Sequence, residues 1–124
     1  MISIDDHTRL EQIQAVISTK KSLTNLYSEF YSKYLDCVSK SPPGGISLEI
    51  GSGAGFLKEI TPNVITSDII PYKSVDMVMD ACRMPFSDCS ISSVFMLNTL
   101  HHLPKIKSFF PELIRCLAPQ GRVF

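Results

Sequence analysis

The residues Leu48-Glu49-Ile50-Gly51-Ser52-Gly53-Ala54-Gly55 constrain this chain more than any other stretch. The apolar run Ile46 to Ile50 ends in three glycines at alternate positions, Phe56 to Ile60 reads as helix, and Pro62 closes it. A strand, a tight glycine turn and a helix are how an open α/β sheet builds a ligand site at the carboxyl end of a strand. Glycine admits positive φ and lets a ligand approach the main chain closely. The helix that follows is expected to aim unpaired N–H groups and a partial positive charge at the same place.

Spacing and a nearby acid narrow the ligand. A dinucleotide fingerprint asks for G-x-G-x-x-G, whereas here Phe56 stands where the third glycine belongs and Gly55 comes one residue early. Glu49 lies inside the apolar strand, where its carboxylate would repel a pyrophosphate and attract a cation. S-adenosylmethionine carries a sulfonium and an amino group and no phosphate. Leu48–Gly55 resembles the first motif of the class I S-adenosylmethionine-dependent methyltransferases. The resemblance implies that Gly51, Ser52, Gly53 and Gly55 shape the methionine-side wall and that Glu49 steadies that end.

Downstream, Val64-Ile65-Thr66-Ser67-Asp68 reads as a second strand ending in an acid. An acid there can accept hydrogen bonds from both ribose hydroxyls in any Rossmann-like layout. Ile69, next to it, is counted with the cofactor contacts. Residues 75–79 read as a short third strand, with Asp76 inside it as a structural or exposed residue. By the resemblance, Asp80-Ala81 at its end lies beside the adenine, the acid receiving the exocyclic amino group, and Met84-Pro85-Phe86 packs near the base. Residues 91–97 form a fourth strand. Ser93 stands where the family usually has aspartate, and Asn98 and Leu100 are expected at the methyl-donor end.

His101 and His102 invite a metal or general-base reading. Neighbouring residues on a helix or strand point to different faces, and no acid or cysteine at ligand spacing completes a site. Residues 104–117 read as helix with a restart at Pro111, where proline suits a first turn. Ala118-Pro119-Gln120-Gly121 resembles the family's turn into its fifth strand, with Gln120 in place of a glycine.

Ahead of the glycine turn, Asp5 and Asp6 are expected to cap a helix over 7–20, and a second helix is expected over 22–39. Its aromatic residues Tyr27, Phe30, Tyr31 and Tyr34 either cover one face of the sheet or also lid the ligand. Ser41-Pro42-Pro43-Gly44-Gly45 breaks the helix and opens the sheet-forming part. The expected organisation is a helical segment at 1–41 and a cofactor-binding core at 42–124. The fold class is α/β, a Rossmann-like open and mostly parallel sheet. The family has seven strands ordered 3-2-1-4-5-7-6, of which 3-2-1-4-5 are recognisable here. The expectation is therefore a domain truncated after its fifth strand, with an exposed sheet edge that invites a homodimer.

At 124 residues there is room for one domain or part of one. Equal numbers of basic and acidic residues disfavour a nucleic-acid surface and leave a small-molecule acceptor as the expected partner. The scattered Cys37, Cys82, Cys89 and Cys116 suggest neither zinc nor a disulfide framework, so a reducing cytoplasm is expected. No apolar run approaches the roughly 20 residues that span a bilayer. Two other readings stay open on the residues alone: an NAD(P)-dependent oxidoreductase domain, and a cofactor-binding fragment that does no chemistry.

Overall fold

A computed structural model describes residues 4–97 and 99–124, with side chains described from residue 7 onward. Two helices, α1 (Ile4–Thr19) and α2 (Lys21–Ser39), precede β1 (Ile46–Ile50), α3 (Leu57–Ile60), β2 (Ile65–Asp68) and β3 (Met77–Val78). There follow β4 (Ile91–Met96), a single 3-10 turn at Leu100–His102, α4 (Ile106–Cys116) and β5 (Leu117–Val123). The strands form one sheet in the order β3-β2-β1-β4-β5, and every neighbouring pair is parallel. From β1 the chain runs outward through β2 and β3, then crosses to β4 on the other side of β1. That reversal opens a crevice beyond the carboxyl ends of β1 and β4, the usual ligand position in such sheets.

Strand alternation sends Leu48 and Ile50 to one face and Glu49 to the other. On the first face Leu48, Ile50 and Val94 pack with Phe109, Leu113 and Cys116 of α4. On the second, Phe95 meets Tyr31 and Tyr34 of α2 and Leu57 of α3. Ile91 and Val94 share a face although three residues apart, because the ladder against β1 gains a residue at Ser92. Such a bulge resets which side the following residues face.

The second helix is core, with Tyr31 and Tyr34 exposing 1% and 0% of their surface. Their rings lie 5.6 and 5.0 Å from that of Phe95, and Phe124 stacks on Phe95 from beyond at 5.7 Å. Aromatic pairs of this kind are worth about 0.5–1.5 kcal/mol each beyond the area they bury. Ser93 is fully buried in the same layer. Its hydroxyl bonds those of Tyr34 at 3.1 Å and Ser47 at 2.9 Å, so a carboxylate at 93 would here be buried beneath α2.

Several local expectations are corrected. Because α1 begins at Ile4, Asp5 and Asp6 sit within its first turn rather than ahead of it; their side chains lie outside the described part. The third strand shrinks to two residues because the Asp76 carboxylate takes the place of a ladder partner. It accepts the Thr66 N–H at 2.9 Å and the Lys58 ammonium at 2.7 Å, and the Lys58 bond holds it below its usual pKa. Helix α4 runs through Pro111 without restarting. The proline omits one backbone bond in the middle of the helix, and the Phe109–Leu113–Cys116 stripe buried against the sheet holds it together. Residues Ala118–Gly121 leave the ladder between Leu117 and Arg122, forming the expected turn within β5.

Candidate functional site

The turn after β1 is wound left-handed at two of its glycines, with φ of +72° at Gly51 and +46° at Gly53. Gly51 is doubly constrained, since a Cβ there would also overlap the Thr99 side chain. Gly55 has ordinary backbone angles and is small for another reason: a Cβ would come within 2.6 Å of the Tyr31 hydroxyl.

The turn's N–H groups are largely satisfied from within. Gly53 donates to Asp68 Oδ2 at 3.0 Å, Gly55 to the Ser52 carbonyl at 2.9 Å, and Phe56 to the Tyr31 hydroxyl at 2.9 Å. Helix α3, at four residues, is too short to supply a macrodipole. The expected row of free donors is thus absent at these positions. A glycine turn of this make is no cradle for pyrophosphate.

Two hollows meet at this turn. The larger, about 530 Å³, is lined by Gly51, Gly53, Asp68, Ile69, Asp80 and Ala81, with Tyr72 and His102 also facing it. The smaller, about 230 Å³, lies on the helical side of the turn. Glu49, Ser52 and Gly55 line it together with Tyr27 and Tyr31 of α2 and Leu10 and Ile13 of α1. Gly51, Gly53, Tyr72 and Leu97 border both. Glu49, Gly51, Ser52, Gly53, Gly55, Asp68, Ile69, Asp80 and Ala81 therefore each line one or both of these hollows, whereas Asn98 lies outside the described residues.

Acids dominate the chemistry of both, for among the described residues neither hollow is lined by lysine or arginine. Asp68 closes β2 and ties it to the turn, accepting also from the Ile70 N–H at 3.0 Å. A carboxylate has about four lone-pair sites, so capacity remains toward the hollow. Asp80 is exposed, and its Oδ1 accepts the Cys82 N–H at 2.9 Å. Glu49 is only 4% exposed. Burial pushes its pKa up to about 7, against a hydrogen bond from the Ser52 hydroxyl and with the charge of Asp68 adding to the rise. Such a buried acid gains by acquiring a cation.

The remaining expectations divide. Leu100 is half-exposed and Met84 is core, and neither lines either hollow. The two histidine rings do not diverge; their centroids are 3.9 Å apart. His102 alone faces the larger hollow, and no cluster of three metal-ligating residues occurs among the described residues. Tyr72, Leu97, Thr99, Leu103 and Pro104 belong to the lining without having been nominated. Only Gly51 hinted at Thr99, by needing a neighbour too close for a side chain.

The arrangement offers a side-chain-free main-chain corner ringed by carboxylates from the tips of β1, β2 and β3. It suits a ligand with hydroxyls, an amino group and positive charge, and S-adenosylmethionine has all three. Residues 48–124 match the family model described as a methyltransferase domain. No protein of curated function matches. Among solved structures, one from Thermotoga maritima is a SAM-dependent methyltransferase described as a possible histamine N-methyltransferase. It is 22% identical, with 79% of this chain covering 52% of that one at a TM-score of 0.55. A Methanococcus maripaludis protein assigned as an S-adenosyl-L-methionine-dependent methyltransferase is 14% identical over 99% of this chain and 64% of its own, with a TM-score of 0.65. A SAM-dependent methyltransferase from Aquifex aeolicus is 19% identical over 90% of this chain and 67% of its own, with a TM-score of 0.59. The chain thus spans little more than half the length of the first of these.

Proposed function

The chain belongs to the methyltransferase-domain family with S-adenosylmethionine as its cofactor, and from that membership we propose that it transfers the cofactor's methyl group to a small-molecule acceptor. When bound, the cofactor supplies a methyl already activated by its sulfonium, which is why no nucleophile or acid–base pair is needed from the protein. The chain's own task is to bind, orient and exclude water.

In this reading Asp68 accepts from the ribose hydroxyls and Asp80 from the adenine amino group, with Ile69 and Ala81 against the nucleoside. Glu49 pairs with the positive charge of the methionine end. Gly51 and Gly53 let that end lie on bare main chain, with Ser52 and Gly55 completing the wall and Asn98 assigned to the methyl end. The observation that carries the proposal is the charge of the lining: among the described residues, three carboxylates and no lysine or arginine face the two hollows. It supports a cationic ligand over a phosphate-bearing one, and the family match likewise does not favour an oxidoreductase.

Calorimetric titration with S-adenosylhomocysteine, and with NADH as the contrast, tests this. Tight binding of the first and none of the second is expected. Asp68→Asn keeps the shape but loses charge-assisted bonds worth about 1.5–3 kcal/mol, a weakening of roughly 10- to 160-fold. Unchanged affinity would remove Asp68 from the ribose. Binding by the wild type without turnover of any acceptor would leave a cofactor-holding fragment instead.

A further inference from the structure

We propose that Glu112 and Arg115 of α4 clamp the loop that carries Asp80, and thereby set the chain's preference for an adenine nucleoside without touching the ligand. This rests on the reading of Asp80 as acceptor of the adenine amino group. Residues 79–90 join β3 to β4 outside any helix or strand, so their backbone polar groups need partners from elsewhere. Helix α4 supplies several. Glu112 Oε1 accepts the Met84 N–H at 2.8 Å. Arg115 donates to the carbonyls of Met84 at 3.0 Å and Phe86 at 2.8 Å, and to Asp88 Oδ1 at 2.7 Å. The Arg115 carbonyl in turn accepts the Cys89 N–H at 2.9 Å.

Three features make the pair a positioning device. Its fork is saturated: Nε reaches Glu112 Oε2 at 3.0 Å and Nη2 reaches Glu112 Oε1 at 2.7 Å, bringing the guanidinium to five bonds, its full donor count. An ammonium cannot span these acceptors. Its base is fixed, because Phe109, Leu113 and Cys116 seat the same helix on the sheet. Its reach ends beside the site. Met84, held at both its N–H and its carbonyl, closes a turn that starts at Asp80. Within that turn the Asp80 carbonyl accepts the Arg83 N–H and Asp80 Oδ1 accepts the Cys82 N–H, both at 2.9 Å, while Ala81 and Met84 are each 4% exposed. Asp80 itself is exposed, so its aim into the larger hollow is inherited from the turn whose far end the clamp grips. Hydrogen bonds weaken steeply with misalignment, so a shift of this turn costs the base contact first. Neither Glu112 nor Arg115 lines either hollow.

The test is calorimetry on the full chain with S-adenosylhomocysteine and S-inosylhomocysteine, which present an amino donor and a carbonyl, respectively, at the base position assigned to Asp80. The wild type is expected to prefer the adenosyl compound by about tenfold or more. Arg115→Lys keeps the charge but not the fork; it should cut the preference to about threefold or less and leave affinity for the inosyl compound within about twofold. Asp80→Ala should abolish the preference. Adding Arg115→Lys to it should change neither affinity by more than about twofold, since the clamp acts through Asp80. Equal weakening of both compounds in Arg115→Lys is general loosening and overturns the proposal. So does a wild-type preference kept in that variant, or a further loss in the double variant. Should Arg115→Lys not fold, Glu112→Gln, which keeps one oxygen for the Met84 N–H, carries the same expectations and the same refutations. Failure of the wild type to bind or to discriminate, or a preference that survives Asp80→Ala, is a separate result. It removes the adenine assignment, and the clamp's role with it.

Discussion

Cofactor affinity should fall as pH drops below neutrality, and Glu49 should be the cause. The residue is 4% exposed, and burial, by disfavouring its charge, pushes its pKa up to about 7. If only the ionised form pairs with the methionine ammonium, the apparent Kd scales as one plus ten to the power of pKa minus pH. From pH 8 to pH 6 that is about a tenfold weakening, or about 1.4 kcal/mol. Below pH 6 each further unit should cost about another tenfold. Binding at pH 6 should also release about 0.9 proton, read from the buffer dependence of the calorimetric enthalpy. S-adenosylhomocysteine keeps the ammonium and should show the slope, whereas 5′-methylthioadenosine, which lacks the amino acid, should not. Glu49→Gln should flatten the curve. His102→Gln is the control, because that imidazole also faces the larger hollow. A flat profile in the wild type, or an undiminished slope in Glu49→Gln, would refute the reasoning. The sign for the free protein is opposite. A folded pKa raised from 4.5 to about 7 favours the folded state below pH 4.5. That contribution is lost as pH rises through 7, an amount of about 3 kcal/mol. Glu49→Gln should therefore raise the melting temperature at pH 8.

Gly51→Ala should destabilise by about 2–5 kcal/mol in denaturant unfolding, combining a left-handed φ with overlap on Thr99. Adding Thr99→Ala should restore only the overlap part, and a loss under about 1 kcal/mol would contradict the turn geometry. Gln120 holds φ of +67°, so Gln120→Gly should stabilise by about 0.5–1 kcal/mol and raise the melting temperature by about 2–4 °C in calorimetry. The outer edge of β5 and the exposed Phe110 and Ile114 of α4, the latter 71% exposed, should make the chain self-associate at high concentration. Sedimentation velocity should show a concentration-dependent shift that Ile114→Lys reduces; a strictly monomeric species at millimolar concentration would count against it.

The strands were legible as short apolar runs, and their order as what the resemblance to the methyltransferase family implies. Asp68 could be nominated from its place at the end of the second strand, whereas Asp80 was nominated by the family resemblance. Contacts between segments distant in sequence were not legible. Periodicity in α2 marks Tyr31 and Tyr34 as inward-facing but says nothing of Phe95, Ser93 or the Phe56 N–H as their partners. The internal satisfaction of the turn was hidden for the same reason: glycine spacing signals room for a ligand, not which donors a distant carboxylate or phenol has already taken. Asp76 shortened β3 through a bond to Thr66 that local β-propensity does not encode. Pro111 misled because a proline suited to starting a helix is also tolerated inside one held down by its buried face.

The bond from the Phe56 N–H to the Tyr31 hydroxyl bolts α2 to the glycine loop, with Phe95 clamping the same ring from below. Tilting that helix outward would orphan an amide and break an aromatic stack at once. Helix α1 is held to the same post: across the Lys20 joint the Thr24 hydroxyl donates back to the Ile17 carbonyl, and Leu10 and Ile17 are buried.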